Sequence, residues 1–277
     1  MRAVVLDEEG RPRLADVPEP EGAVRVLACG LCGSDVEKLH PDYAGAVLGH
    51  EVVAEIDGRR VALQHHAPCG ECDRCLAGHE STCESFRAAT IEPGGFAERV
   101  SALGGVDLPA GIDVGRGTMV EPLACVLRGA ERVPRGRVLI VGHGFVGRLF
   151  AAVLERGGDD VFAVDSNPHR SGRRPNRPVD AAVLCAPGGA PTAIDALEPG
   201  GTLLVFADVG SLPASPIYRR ELTVVGSRSA TPRHMEEAAA LLPELDVPEP
   251  TVLPLERFAE GLELYRRGVS LKVVFIP

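Results

Sequence analysis

No stretch of the 277 residues approaches the ~18 consecutive apolar positions that a membrane-spanning helix requires. A basic surplus is missing too: 29 Lys and Arg stand against 39 Asp and Glu, a formal net charge of −10, with no long basic run. That balance argues against nucleic acid or an anionic membrane as a partner. The opening M-R-A-V-V-L-D-E-E-G turns to charge at Asp7, too early for the apolar core of a signal peptide. There is no internal repeat. These absences set the expectation of a cytoplasmic protein.

What is present is enough for a proper core in each of about two domains, at the usual ~150 residues per domain, since 45% of the residues are hydrophobic. Eight cysteines in a reducing compartment are better metal ligands than disulfide partners. Six of them (Cys29, Cys32, Cys69, Cys72, Cys75, Cys83) crowd the first third of the chain. Cys125 and Cys185 sit in the apolar runs P-L-A-C-V-L and A-V-L-C-A and are expected to be buried, inert thiols.

The texture of the chain changes partway along. Up to about residue 125, short apolar runs such as Ala3–Leu6, Ala23–Ala28, Glu51–Ile56 and Val61–Leu63 are punctuated by glycine and proline, the pattern of an irregular β domain. From Arg137, strands alternate with helices: Val138–Val141, a helix to about Glu155, then strands at Val161–Val164, Ala181–Cys185, Thr202–Phe206 and Leu222–Val225. That alternation specifies a doubly wound parallel sheet. The tail reads as a helix over Leu255–Arg267 followed by a strand at Leu271–Ile276, and His169–Pro178 as a loop.

Cys69-G-E-Cys72-D-R-Cys75-x7-Cys83 is the sharpest motif. Zinc takes four thiolates at tetrahedral corners, and two-residue gaps let successive thiolates turn inward on one knuckle. With all four corners taken by cysteine no position remains for substrate, so such a site is structural. An iron–sulfur cluster also uses four thiolates, and free thiols are a third reading. The seven-residue last gap favours zinc.

Three separated fragments suggest a second, open site: Gly30-Leu31-Cys32-Gly33-Ser34-Asp35, Gly49-His50-Glu51 and Glu121-Pro122-Leu123. Each is weak alone. In this order, with the cysteine lobe between the second and third, and with G-G-F-A-E at 94–98 and the tail P-L-E-R-F-A-E-G-L, the chain resembles the zinc-dependent medium-chain alcohol dehydrogenase family. The likeness is closest to its polyol (sorbitol-type) and threonine dehydrogenase branches.

The resemblance implies a catalytic zinc held by Cys32 and His50, with Glu51 and Glu121 as carboxylates at or next to the metal; either of these, or water, completes the shell. Glutamate at 121 points to the polyol-type branch. Ser34 would accept the alcohol proton, and Asp35 would orient His50 or serve only as a turn residue. Zinc suits this chemistry because it lowers the pKa of a bound oxygen by several units. Cys29 makes a Cys-x2-Cys with Cys32, yet reads as a packing residue. His65-His66 are assigned to the substrate pocket or the surface.

Val138-Leu-Ile-Val-Gly142-His-Gly144-Phe145-Val146-Gly147 is strand, tight turn and helix start, the context that confirms a dinucleotide fingerprint. The glycines admit the pyrophosphate to the helix N-terminus. Asp165, ending the second strand, is placed to bind the adenosine ribose, which favours NAD. Arg170, Arg173 and Arg174 just behind it could instead take the extra phosphate of NADP or form a solvated loop.

The chain departs from the resemblance in one large respect. Only fourteen residues (166–179) separate Asp165 from the next strand, where relatives carry a helix, a strand and a helix. The edge strand of the sheet and part of the adenine wall are expected to be missing. The segment between Glu51 and Val61 is trimmed as well, and Glu37 stands where a histidine often serves the outer proton relay.

The expected architecture is therefore a two-domain α/β protein: a GroES-like β domain with a structural zinc lobe (1–127), a reduced Rossmann doubly wound parallel sheet (128–242), and a C-terminal return to the first domain (243–277). The expected activity is oxidation of a secondary alcohol, a polyol or other hydroxylated small molecule, by NAD in a homodimer or homotetramer. A threonine-type enzyme, an NADP-linked sugar dehydrogenase, and a non-catalytic nucleotide-binding relic are the alternatives. Joint retention of Cys32, Ser34, His50 and Glu121 speaks against the relic.

Overall fold

The computed structural model describes residues 1–87 and 90–277, with backbone only at 86 and 87. The strands in chain order are β1 (Arg2–Leu6), β2 (Pro12–Asp16), β3 (Val24–Gly30), β4 (Glu51–Ile56), β5 (Arg59–Leu63), β6 (Ile91–Glu92), β7 (Arg99–Ala102) and β8 (Gly105–Asp107), then β9 (Arg137–Val141), β10 (Asp160–Val164), β11 (Val179–Leu184), β12 (Leu197–Val205), β13 (Thr223–Gly226), β14 (Thr251–Pro254) and β15 (Val273–Ile276). The helices are α1 (Gly33–Glu37), α2 (Asp73–Leu76), α3 (Val114–Gly117), α4 (Val120–Ala130), α5 (Phe145–Arg156), α6 (Ala190–Ala196), α7 (Ala214–Arg219), α8 (Pro232–Leu241) and α9 (Phe258–Arg266).

Two compact units divide the chain, one of Met1–Ala124, Ala230–Glu244 and Pro248–Pro277, the other of Cys125–Ser229 and Leu245–Val247. The return to the first unit thus begins at Ala230, earlier than the 243 read from the sequence. The reason is α8, which buries His234, Met235, Ala238 and Ala239 within the first unit.

In the first unit, a largely antiparallel sheet runs in the order β14-β15-β3-β4-β5-β8, with β7 joining β3 to β6. Strand β14 has no counterpart in the sequence reading. The trimmed stretch between β4 and β5 is a two-residue hairpin at Asp57-Gly58, both with positive φ (50° and 75°). That backbone matches the right-handed twist of the flanking strands, and Asp-Gly is the dipeptide that tolerates it. Phe96 and Phe275 pack edge to face, Phe258 and Phe275 stack, and all three belong to the core of this unit.

The second unit holds five parallel strands in the order β10-β9-β11-β12-β13. The continuous apolar run of β9, buried along Val138–Val141, is what a strand covered on both faces requires. The expected loss of the third strand leaves β10 at the edge. Two backbone hydrogen bonds partly cover that edge, from Ala163 N to Arg173 O and from Gly172 N to Ala163 O, each 3.0 Å. Cys125 and Cys185 are each partly exposed as residues, less buried than expected, although the Cys185 thiol itself is enclosed and burial pushes its pKa up.

Candidate active site

One end of the first unit's sheet gathers the chemistry. Gly30, the last residue of β3, pairs with Glu51, the first of β4. Cys32 follows β3 by two residues and His50 precedes β4 by one, so this register sets them side by side. The ligand atoms of Cys32, His50 and Glu51 lie within 4.8 Å of one another. Gly49 makes the approach possible: its φ is 98°, and a side chain there would strike Cys29 Sγ and the backbone of Phe96. Cys29 is fully buried behind this turn, burial pushes its thiol pKa well up, and it acts as packing.

Asp35 ties the two loops together. Its Oδ2 accepts from the backbone N–H of Cys32 at 3.0 Å, while Oδ1 accepts from Gly49 N and lies 3.3 Å from Nδ1 of His50. With Nδ1 engaged, Nε2 is the nitrogen left for a metal. Burial alone would lower the His50 pKa, but the Asp35 carboxylate outweighs it and raises the pKa well above the ordinary value. Burial correspondingly works to raise the Asp35 pKa, and His50 overcomes it to hold Asp35 low. Asp35 is thus both the capping residue of α1 and the orienter of His50.

Glu51 has a partner that the sequence reading missed. Lys272, immediately before β15, donates to the Glu51 carboxylate and, at 3.2 Å, to Leu31 O; both ionic side chains are 1% exposed. A signal existed, since Lys272 is one of only two lysines in the chain and interrupts the apolar tail S-L-K-V-V-F-I. Tyr265 of α9 was missed as well: its hydroxyl lies 3.3 Å from where a side chain at Gly33 would begin. Burial raises the Tyr265 pKa, and the neighbouring Cys32, Glu51 and Asp35 push the same way.

Ser34 is half-buried in the first turn of α1. Glu121, half-buried in the first turn of α4, is not among the three converging ligands. His65, after β5, sits against His50 with ring centroids 4.9 Å apart, and His66 lies 3.9 Å from His65. Burial first, then the neighbouring imidazoles, holds the His65 pKa down at about 3.

The four lobe cysteines form a second cluster with their Sγ atoms within 4.8 Å. The Cys72 N–H points at Cys69 Sγ (3.4 Å) and the Cys69 N–H at Cys83 Sγ (3.5 Å). Four soft sulfur donors gathered in one cluster, with backbone amides turned toward two of them, fit a soft metal ion.

In the second unit, Gly142 (φ 95°) turns the chain out of β9, and a side chain there would meet Ala186. A side chain at Gly147 would collide with Gly142 O, so helix and strand pack at glycine distance. At Gly144, the N-cap of α5, space above the backbone is open. Phe145 is buried at the start of that helix and Val146 is half-buried beside it. Asp165 accepts from the backbone N–H of His143 through Oδ2 and of Asn167 through Oδ1, both at 2.8 Å. Each carboxylate oxygen keeps a further lone pair for a ribose hydroxyl. Arg173 is committed elsewhere: it pairs with Asp160 and lies over the Phe162 ring, 4.2 Å from its centroid, with Arg137 also stacked on that ring.

Comparison with known proteins agrees with this geometry. A family model described as the alcohol dehydrogenase GroES-like domain matches residues 19–105. D-altritol 5-dehydrogenase of Agrobacterium fabrum strain C58 is 31% identical over 300 residues, covering 87% of this chain and 88% of that protein. L-galactonate-5-dehydrogenase of Escherichia coli strain K12 is 29% identical over 308 residues, covering 92% and 90%. The solved alcohol dehydrogenase of Thermus sp. ATN1 superposes with a TM-score of 0.84 at 25% identity, covering 100% of both chains.

Proposed function

Because this chain belongs to the zinc-dependent medium-chain alcohol dehydrogenase family, we propose that it oxidises a secondary alcohol of a polyol or similar hydroxylated small molecule, with NAD as hydride acceptor. The observation that carries this reading is the convergence of Cys32, His50 and Glu51 within 4.8 Å at one sheet end, separate from an all-cysteine cluster. Cys32 and His50 would hold a catalytic zinc, with Glu51 or Glu121 as the carboxylate nearby, and Cys69, Cys72, Cys75 and Cys83 a structural one. When bound, zinc lowers the pKa of an alcohol oxygen and so prepares the carbinol carbon to release hydride.

The chain's own residues then have distinct tasks. Asp35 fixes the tautomer and tilt of His50, leaving Nε2 free for the metal. Lys272 neutralises Glu51 and sets how much of that carboxylate is available elsewhere. Ser34, two residues beyond Cys32 and partly open to solvent, accepts the alcohol proton and passes it outward. In the second unit, the Gly142–Gly147 turn receives the pyrophosphate and Asp165 the adenosine ribose. With Arg173 held by Asp160 and Phe162, the case for NADP is weakened. On the family resemblance, the working form is a cytoplasmic homodimer or homotetramer.

A panel of polyols, simple secondary alcohols and threonine, each offered with NAD and with NADP, tests this by the absorbance of reduced nicotinamide. Polyol oxidation with NAD is the expected result. No turnover of any alcohol, in protein carrying two zinc ions per chain, would overturn it.

A further inference from the structure

The register that pairs β4 with β5 has a consequence beyond the strands. Val53 pairs with Ala62 and Ala54 with Val61; continued past the strand ends, the same antiparallel count sets His65 opposite His50. The rings meet accordingly, with centroids 4.9 Å apart and planes 34° off parallel. The segment is braced from both sides. Gln64 N donates to Gly104 O at 3.0 Å, the Gln64 side-chain amide donates to His66 O at 2.5 Å, and Thr90 Oγ1 donates to Gln64 O.

His65 is not one of the three converging metal-ligating residues, and its Nδ1 is buried without a hydrogen-bond partner among the described residues. A buried polar atom without a partner is uncommon and calls for an explanation. A neutral imidazole offers one donor and one acceptor, the complement of a hydroxyl, which is both.

We propose that His65 determines substrate specificity by hydrogen-bonding a hydroxyl next to the one being oxidised, so that the site takes polyhydroxylated chains in preference to simple secondary alcohols. This rests on the dehydrogenase reading above and names the substrate feature which that reading leaves open. A site built to pair with a substrate hydroxyl discriminates against analogues that lack it, because its own polar group is then left buried and unpaired.

The experiment compares wild type, His65→Leu and His65→Gln. Each is assayed with the polyol that the wild-type enzyme oxidises best and with a monohydroxy secondary alcohol of the same chain length, zinc content being measured throughout. In His65→Leu the ratio of kcat/KM for polyol over monohydroxy alcohol should fall by about tenfold or more, and His65→Gln should recover a large part of it. Calorimetric titration of the polyol into holoenzyme without NAD gives a readout free of turnover, with Kd rising about tenfold in His65→Leu. An unchanged ratio, or an equal loss on both substrates, overturns the role of His65 and leaves the dehydrogenase reading standing. A wild type that oxidises simple secondary alcohols but no polyol likewise overturns that role, whereas no turnover of any alcohol would sink the dehydrogenase reading itself.

Discussion

Lys272 and Glu51 meet across 221 residues of sequence as an ion pair, each side chain 1% exposed. Such a pair contributes little net stability over a well-packed apolar pair, but removing one partner strands the other charge. Lys272→Met should therefore destabilise metal-free protein by about 3–5 kcal/mol. The double variant Glu51→Gln/Lys272→Met should recover most of that loss. Urea unfolding of both variants checks this, and additive losses would show that the two residues are not coupled.

Asp35 supports two loops through one carboxylate, so its charge and its shape can be separated. Asp35→Asn keeps an acceptor for the Cys32 N–H but loses the charge facing His50. Zinc affinity at the Cys32–His50 site should drop about 10- to 100-fold, the usual cost of losing such a supporting partner. Competition against a chelator measures it, and the cysteine cluster serves as internal control. Equal loss from both clusters would argue for general unfolding.

Two ligand clusters predict two zinc ions per chain. Cys83→Ser should lose about one of them and much of the stability, because metal binding at a structural site is folding free energy. Elemental analysis of active wild-type protein that finds one zinc or fewer would contradict the two-site assignment.

The shortened nucleotide unit predicts weaker cofactor binding. If about 50 Å² of apolar surface beside the adenine is missing, the loss at roughly 25 cal/mol per Å² is about 1.3 kcal/mol, near tenfold in affinity. NAD should still bind, and kcat/KM should be higher with NAD than with NADP because Asp165 repels a phosphate on the ribose. Calorimetry measures the binding and steady-state kinetics with both cofactors the preference; a higher kcat/KM with NADP would mean that Arg170 or Arg174 prevails over Asp165.

Much of this molecule was legible without coordinates. The four-cysteine motif, the glycine turn before α5 and the acid 23 positions beyond Gly142 are local patterns, set by how close one ligand or one backbone turn must stand to the next. The parallel sheet followed from the alternation of apolar runs with helices, and the missing edge strand from counting fourteen residues. A strand such as β14, whose residues Thr251–Pro254 are short and end in proline, carries too weak a pattern to stand out.

The identity of the candidate ligands was thus a property of the sequence, while their company was decided by sheet pairing. The convergence of Cys32, His50 and Glu51 needs the β3–β4 register, the His50–His65 contact needs the β4–β5 register, and the Lys272–Glu51 pair needs β15 to return beside β3. Each is a hydrogen-bonded match between segments far apart in the chain, and a register is chosen by the burial of whole strand faces rather than by the few residues that come to lie at their ends.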